Sequence, residues 1–117
     1  MKRYVGKKVD VGPVTVMVEV VQDGKVLRTY ALRHVVRHSP DEFQWGYAGS
    51  GPADLARSIL IDLVGKDEAD GHYQDFKAAF IAPVKGDLSI DESSVRTWLE
   101  ERKDYQRYLA GRSDPRD

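Results

Sequence analysis

Val14, Val16, Val18 and Val20 alternate along the chain with Thr15, Met17, Glu19 and Val21. A period of two puts successive side chains on opposite faces, so this stretch predicts a β-strand. Gln22-Asp23-Gly24-Lys25 follows it. Asp-Gly tolerates positive φ at both central positions of a tight turn and matches strand twist, which predicts a hairpin. The return strand is expected over about residues 25–36, with boundaries good to two to four residues. In it Leu27, Thr29 and Ala31 stand opposite in phase to Val26, Arg28, Tyr30 and Leu32. Arg3 to Lys8 predicts a further short strand, with Gly12-Pro13 turning the chain after it. A fourth is expected at Phe43-Gln44-Trp45, beyond the turn at Ser39-Pro40-Asp41.

The period then lengthens. Pro52, after Gly51, opens a helix, because the N–H that proline lacks has no intrahelical partner at that position. Leu55, Ile59 and Leu63 recur at i, i+4 and i+8, Leu60 and Val64 widen the stripe, and Gly65 closes it. A second helix is expected over residues 67–82, with Ala69, Tyr73, Phe76 and Phe80 on one face and Pro83 as its stop. Ser89-Ile90-Asp91-Glu92 is a capping-box pattern for a third. Trp98, Arg102, Tyr105 and Leu109 lie along one side of that helix, with Val95 and Leu99 adjacent. Strands first and helices afterwards predict an α+β fold, an N-terminal antiparallel sheet of three to four strands with three α-helices packed on it.

Composition narrows the function more than the fold. The 117 residues suit one domain, expected over 1–110, with 111–117 as a mobile tail because no apolar residue pins it. Eighteen basic and nineteen acidic side chains leave a formal charge of −1. No overall field draws the chain to nucleic acid or anionic lipid, so neither partner is expected. The absence of cysteine excludes disulfides, thiolate metal sites and cysteine nucleophiles. Apolar runs fall far short of the roughly 20 residues that span a bilayer. Met1 to Lys8 lacks the apolar core of a signal peptide, which makes the cytoplasm the expected compartment.

The segment richest in chemistry runs from Phe43 to Ala56. Its three glycines Gly46, Gly49 and Gly51, with Ser50, feed directly into a helix start. A helix N-terminus presents unpaired N–H groups and partial positive charge, and glycine lets an anion approach the backbone. Trp45 and Tyr47 supply rings that can stack on a planar group. No Gly-Lys-Ser/Thr follows, so this is not a Walker loop, and Asp54 stands where a dinucleotide fingerprint needs its third glycine. The same residues also suit a ligand-free turn and cap, with Ser50 or Gly51 capping and Pro52 beginning the helix. Asp54 would repel an anion unless its carboxylate points away.

Arg33-His34-Val35-Val36-Arg37-His38 precedes the loop. On a strand, Arg33 and Arg37 share one face and His34 and His38 the other. The two arginines, with Arg57, would form a basic wall gripping phosphate or carboxylate; the alternative is an edge strand kept unpaired by charge. His34 and His38 have no evident third ligand, so neither metal nor cofactor is expected. Ser50 lacks the Gly-x-Ser-x-Gly setting of a nucleophile elbow, and no catalytic residue is assigned. Asp62, Asp67, Glu68, Asp70 and Asp75 read as solvated helix faces.

The pattern Phe-x-Trp-Gly-Tyr-x-Gly-Ser-Gly-Pro-Ala-x-Leu-Ala, with Tyr73-Gln74-Asp75-Phe76-Lys77 and Trp98-Leu99, resembles a family of small uncharacterised proteins of phages, plasmids and bacterial mobile elements. The resemblance covers roughly Tyr4 to Leu99 and carries no established activity. It implies a stand-alone accessory protein and a shared feature at Trp45, Gly46, Tyr47, Gly49, Ser50, Gly51 and Pro52. Two functions are then expected. One is a non-enzymatic protein that binds a nucleotide-like or other anionic small ligand at the loop and helix start, in its sharpest form a counter-defence sponge for a host nucleotide signal. A domain this small would close such a pocket between subunits, so that form implies a homo-oligomer. The other is an adaptor or inhibitor of a host protein that uses the aromatic–glycine loop as a recognition surface.

Overall fold

The valine alternation and the Asp-Gly turn build the centre of an antiparallel sheet. In the computed structural model, which describes residues 1–9, 14–39 and 42–112, four strands appear. They are β1 (Lys2–Gly6), β2 (Val16–Gln22), β3 (Lys25–Ala31) and β4 (Leu88–Asp91), in the order β3-β2-β1-β4 with every neighbour antiparallel. Asp23 (φ 51°) and Gly24 (φ 76°) make the hairpin turn, both with the positive φ that such a turn requires. Three helices follow the hairpin, α1 (Ser50–Val64), α2 (Lys66–Phe76) and α3 (Glu92–Arg112), and a π-helical stretch at Lys77–Ile81 continues α2. The fold is α+β. Among the described residues no helix is long and apolar enough to cross a membrane.

Two elements differ from the pattern-based expectation. β3 ends at Ala31 rather than near Val36: the Leu32 amide still donates to the Val16 carbonyl (2.8 Å), and the chain then leaves the sheet. A bulge faces the Val20/Val21 step, where Arg28 pairs with Val20 and Val26 with Val21, so Leu27 is the extra residue. The fourth strand is not Phe43-Gln44-Trp45, whose rings are sunk in the core. It is Leu88–Asp91, lying against β1 with Ile90 opposite Tyr4. The capping-box reading of Ser89–Glu92 hid an alternation of Leu88 and Ile90 with Ser89 and Asp91. One oxygen of the Glu92 carboxylate, which a capping box would turn on the amide of its N-cap, accepts the Lys2 amide of β1 (2.7 Å), and the other accepts Arg96 Nε one turn along α3 (2.6 Å). The turns expected at Gly12-Pro13 and at Pro40-Asp41 lie outside the described residues, as does the tail from Ser113 onward.

The helices cover one face of the sheet. Tyr4, Val16, Val18, Leu88 and Ile90 share one core with Leu55, Ile59 and Leu60 of α1 and with Phe76, Ile81, Val95 and Leu99. α1 is the central element: every residue from Gly51 to Leu60 is buried. A helix buried all round must also satisfy its polar side chains internally. Further along α1, Asp62 is no solvated acid but a strut to the sheet. It accepts hydrogen bonds from the Tyr4 hydroxyl (2.6 Å), the Tyr30 hydroxyl (2.8 Å) and Lys2 Nζ (3.1 Å). Burial, reinforced by the Asp62 carboxylate, pushes the Tyr4 hydroxyl well above the ordinary phenol range. α3 packs through Val95, Leu99 and Trp98, the last edge-on to Phe76 and Phe80. Beyond Arg102, which donates to His72 (2.7 Å), the helix runs on past the body, and the expected apolar side is exposed at Tyr105.

Candidate functional site

Asp54 stands between Ala53 and Leu55 on the most buried stretch of the chain, and its side chain is fully buried. A carboxylate there requires donors from within the protein. They come from the segment that leaves β3. The amides of Arg37 (3.2 Å), His38 (2.9 Å) and Ser39 (3.0 Å) all point at its two oxygens, and His34 Nε2 donates to Oδ2 (2.9 Å). Burial pushes the Asp54 carboxyl up, but the His34 hydrogen bond and the three amides outweigh it and hold the group below its ordinary 3.8. Three consecutive amides converging on one anion form a nest, and here the anion is the protein's own side chain. The Val35 amide adds a bond to Ser58 Oγ (3.1 Å), and His38 Nε2 meets the Tyr73 hydroxyl (2.7 Å).

This capture explains why residues 33–38 form no strand, and it redistributes the arginines. Arg57, buried on α1, donates to Asp70 Oδ1 (2.6 Å), and Arg37 reaches the same oxygen (3.1 Å). The Arg57 guanidinium is the main cause that holds the Asp70 carboxyl below the usual carboxylate range. Asp70, like Asp62, is therefore a structural partner and not part of a solvated face. Arg33 is exposed. The basic wall expected from Arg33, Arg37 and Arg57 on a strand is replaced by two arginines sharing one aspartate and a third facing solvent.

The aromatic–glycine loop divides its residues between inside and outside. Trp45 is 7% exposed, and its Nε1–H donates to the Gly86 carbonyl (2.7 Å). Its indole lies over Gly6, where a Cβ would stand 2.9 Å from the ring. Gly46 has φ +90° and donates to the Ile81 carbonyl (3.1 Å), a left-handed corner suited to glycine. Tyr47 is 49% exposed. Its ring covers Gly49, leaving only 2.7 Å to a Cβ position there, and its hydroxyl donates to Gln44 Oε1. The Gln44 side chain also fills the space beside Gly51. Gly49 is the N-cap residue of α1, and no side chain caps the helix. Ser50 is exposed at its first position.

Trp45, Gly46 and Tyr47 come together on one cleft of about 370 Å³, with Lys8, Val9, Val14, Glu42 and Phe43 on its other walls. Among the described residues, none of the three arginines lines it. Neither His34 nor His38 bonds Ser50, and no three His, Asp or Glu side chains among the described residues are grouped to hold a metal ion. Sequence reasoning assigned no role to the Asp54 nest. The available signal was Asp54 itself, a carboxylate in an apolar run beside a histidine-bearing segment.

The model of a family of unknown function (DUF6166) matches residues 4–101, and the chain belongs to that family. No curated protein and no solved structure matches it.

Proposed function

We propose that this member of an uncharacterised family is a non-enzymatic binding module, an adaptor or inhibitor that engages a host protein through its aromatic–glycine loop. The observation that carries the reading is the contrast between exposure and fixation at Tyr47. Its ring is half exposed, yet it is held over Gly49 and tied to Gln44 at the lip of a cleft. A tyrosine already fixed loses little conformational freedom on binding and offers both apolar area and a hydroxyl, the features of an interface anchor. The groups best suited to grip a small anion are otherwise engaged: the amides of residues 37–39 hold Asp54, and Arg37 and Arg57 hold Asp70. In this reading the chain is an accessory factor of a phage or other mobile element that acts in the bacterial cytoplasm.

Affinity capture from bacterial lysate with the whole chain as bait tests the reading. A discrete protein should be retained by the wild type and lost with Tyr47→Ala, whose thermal unfolding should match the wild type. Retention that is indifferent to Tyr47 would refute it.

One observation favours a second reading, an anionic ligand at the start of α1: that helix begins without a side-chain cap, at the exposed Ser50. A nucleotide held there would raise the melting temperature in proportion to the logarithm of its concentration. A flat response across cyclic and ADP-ribose-type nucleotides would dispose of this reading.

A further inference from the structure

Three side chains of the aromatic–glycine loop each lie on a glycine. The Trp45 indole lies on Gly6, the Tyr47 ring on Gly49 and the Gln44 side chain on Gly51, and a Cβ at these glycines would stand 2.9, 2.7 and 2.8 Å from them. Backbone conformation does not call for glycine at the last two. Gly49 is extended (φ −170°), and Gly51 stands in the first turn of α1, where alanine is the better helix former. Gly71 is helical too, yet nothing comes within 4 Å of its Cβ position, so a helical glycine alone marks no such seat. The side chains on Gly49 and Gly51 are also joined. The Gln44 Oε1 that lies closest to the Cβ position of Gly51 is the atom that accepts the Tyr47 hydroxyl. Both spring from anchored backbone. Phe43 and Trp45 are buried on either side of Gln44, which is exposed, and Gly46 is fixed by its bond to the Ile81 carbonyl (3.1 Å). Gly49 and Gly51, which suggested the approach of an anion, are approached instead by the loop's own side chains.

We infer that Gln44 is a positioning residue for Tyr47, and that Gly51 is the seat that lets it act. This assignment deepens the protein-binding reading of the Tyr47 loop and rests on it. A tyrosine at an exposed position ordinarily samples several staggered rotamers. Here the ring is backed by Gly49, and its hydroxyl is held by an oxygen that itself lies against the start of α1. A partner therefore meets one rotamer instead of selecting it from several. The gain is that of one side chain immobilised in advance, about 2–10-fold in affinity. Alanine at residue 51 would push the flexible end of Gln44 outward and free the phenol without touching Tyr47.

Nuclear magnetic resonance of the full chain tests the positioning without a partner. Three-bond couplings to the Tyr47 β-protons report its rotamer, and the Gly49 α-protons beneath the ring report its place. Gln44→Met keeps the length of the side chain and loses the acceptor, whereas Gln44→Glu keeps an acceptor oxygen. Wild type and Gln44→Glu should show one Tyr47 rotamer and ring-shifted Gly49 α-protons. Gln44→Met and Gly51→Ala should show averaged couplings and a smaller Gly49 shift, at the unfolding temperature of the wild type. Averaged couplings in the wild type, unchanged couplings in both variants, or earlier unfolding of Gln44→Met would overturn the assignment. In lysate capture Gln44→Met should weaken retention of the Tyr47-dependent protein by about 2–10-fold, and Gln44→Glu should preserve it. Gln44→Met and Tyr47→Phe remove the same bond, so the double variant should lose no more than the weaker single variant. Additive losses would mean that Gln44 meets the partner on its own, against the assignment. Full retention by Gln44→Met with a freed Tyr47 ring excludes the positioning role and leaves protein binding standing. Retention by Tyr47→Ala as well removes both.

Discussion

The Asp54 nest and the Tyr47 cleft lie less than ten residues apart on the chain and treat their polar groups in opposite ways. In the nest, three amides and a histidine converge on one fully buried carboxylate, and Arg57 is buried against Asp70 alongside. In the cleft, a tyrosine ring is half exposed, laid over Gly49 and tied to Gln44. The difference shows that the chemistry of a residue type does not locate a binding surface. Of the groups that suggested an anion site, Arg57 and His34 serve the interior, Arg33 faces solvent, and the helix start at Gly49 carries no side-chain cap. What the interior leaves exposed is the outer part of the aromatic–glycine loop, at Tyr47.

The comparison breaks most forcefully at Asp54. Asp54→Ala leaves three amides and His34 without their acceptor, and the loss should be about 3–5 kcal/mol, the range for removing one partner of a buried charged network. Urea unfolding monitored by circular dichroism would measure it; a loss below 1 kcal/mol would mean that the segment 34–39 is held by other contacts. Lowering the pH should produce a smaller effect of the same origin. The folded Asp54 carboxyl titrates below its ordinary 3.8, so its stabilisation is complete above that value and is lost as the pH falls through the folded one. The stability difference between wild type and Asp54→Asn should thus be constant near neutrality and shrink below about pH 4. A difference that grew on acidification would reverse the assigned sign. The smallest effect on stability belongs to the cleft. Gly49 has an extended backbone (φ −170°), so alanine fits its conformation, but a Cβ would displace the Tyr47 ring. Gly49→Ala should cost under about 1 kcal/mol as a poorer helix cap, yet weaken partner capture much as Tyr47→Ala does.

How much could be read beforehand follows from the range of the interactions concerned. The hairpin was legible because Asp23-Gly24 and the flanking valines are local signals, and α1 was legible from Leu55, Ile59 and Leu63. The fourth strand was not, because Leu88–Asp91 is only four residues long and pairs with β1 some eighty residues earlier. The end of β3 was missed for a related reason. Nothing within residues 32–38 forbids a strand; Asp54, on another element, recruits their amides. Trp45 and Tyr47 looked alike as free rings, and only the approach of Gly6 and Gly86 to one of them separates the pair.

The sequence alone determined the alternation that makes a sheet, the helical stripes that cover it, and the presence of a glycine-rich corner between them. Each depends on residues close along the chain, where steric and hydrogen-bonding preferences act directly. Tertiary structure alone decided which polar groups would be consumed and which would remain. A buried charge is tolerable only when distant donors reach it, and which donors do so depends on the packing of the whole domain.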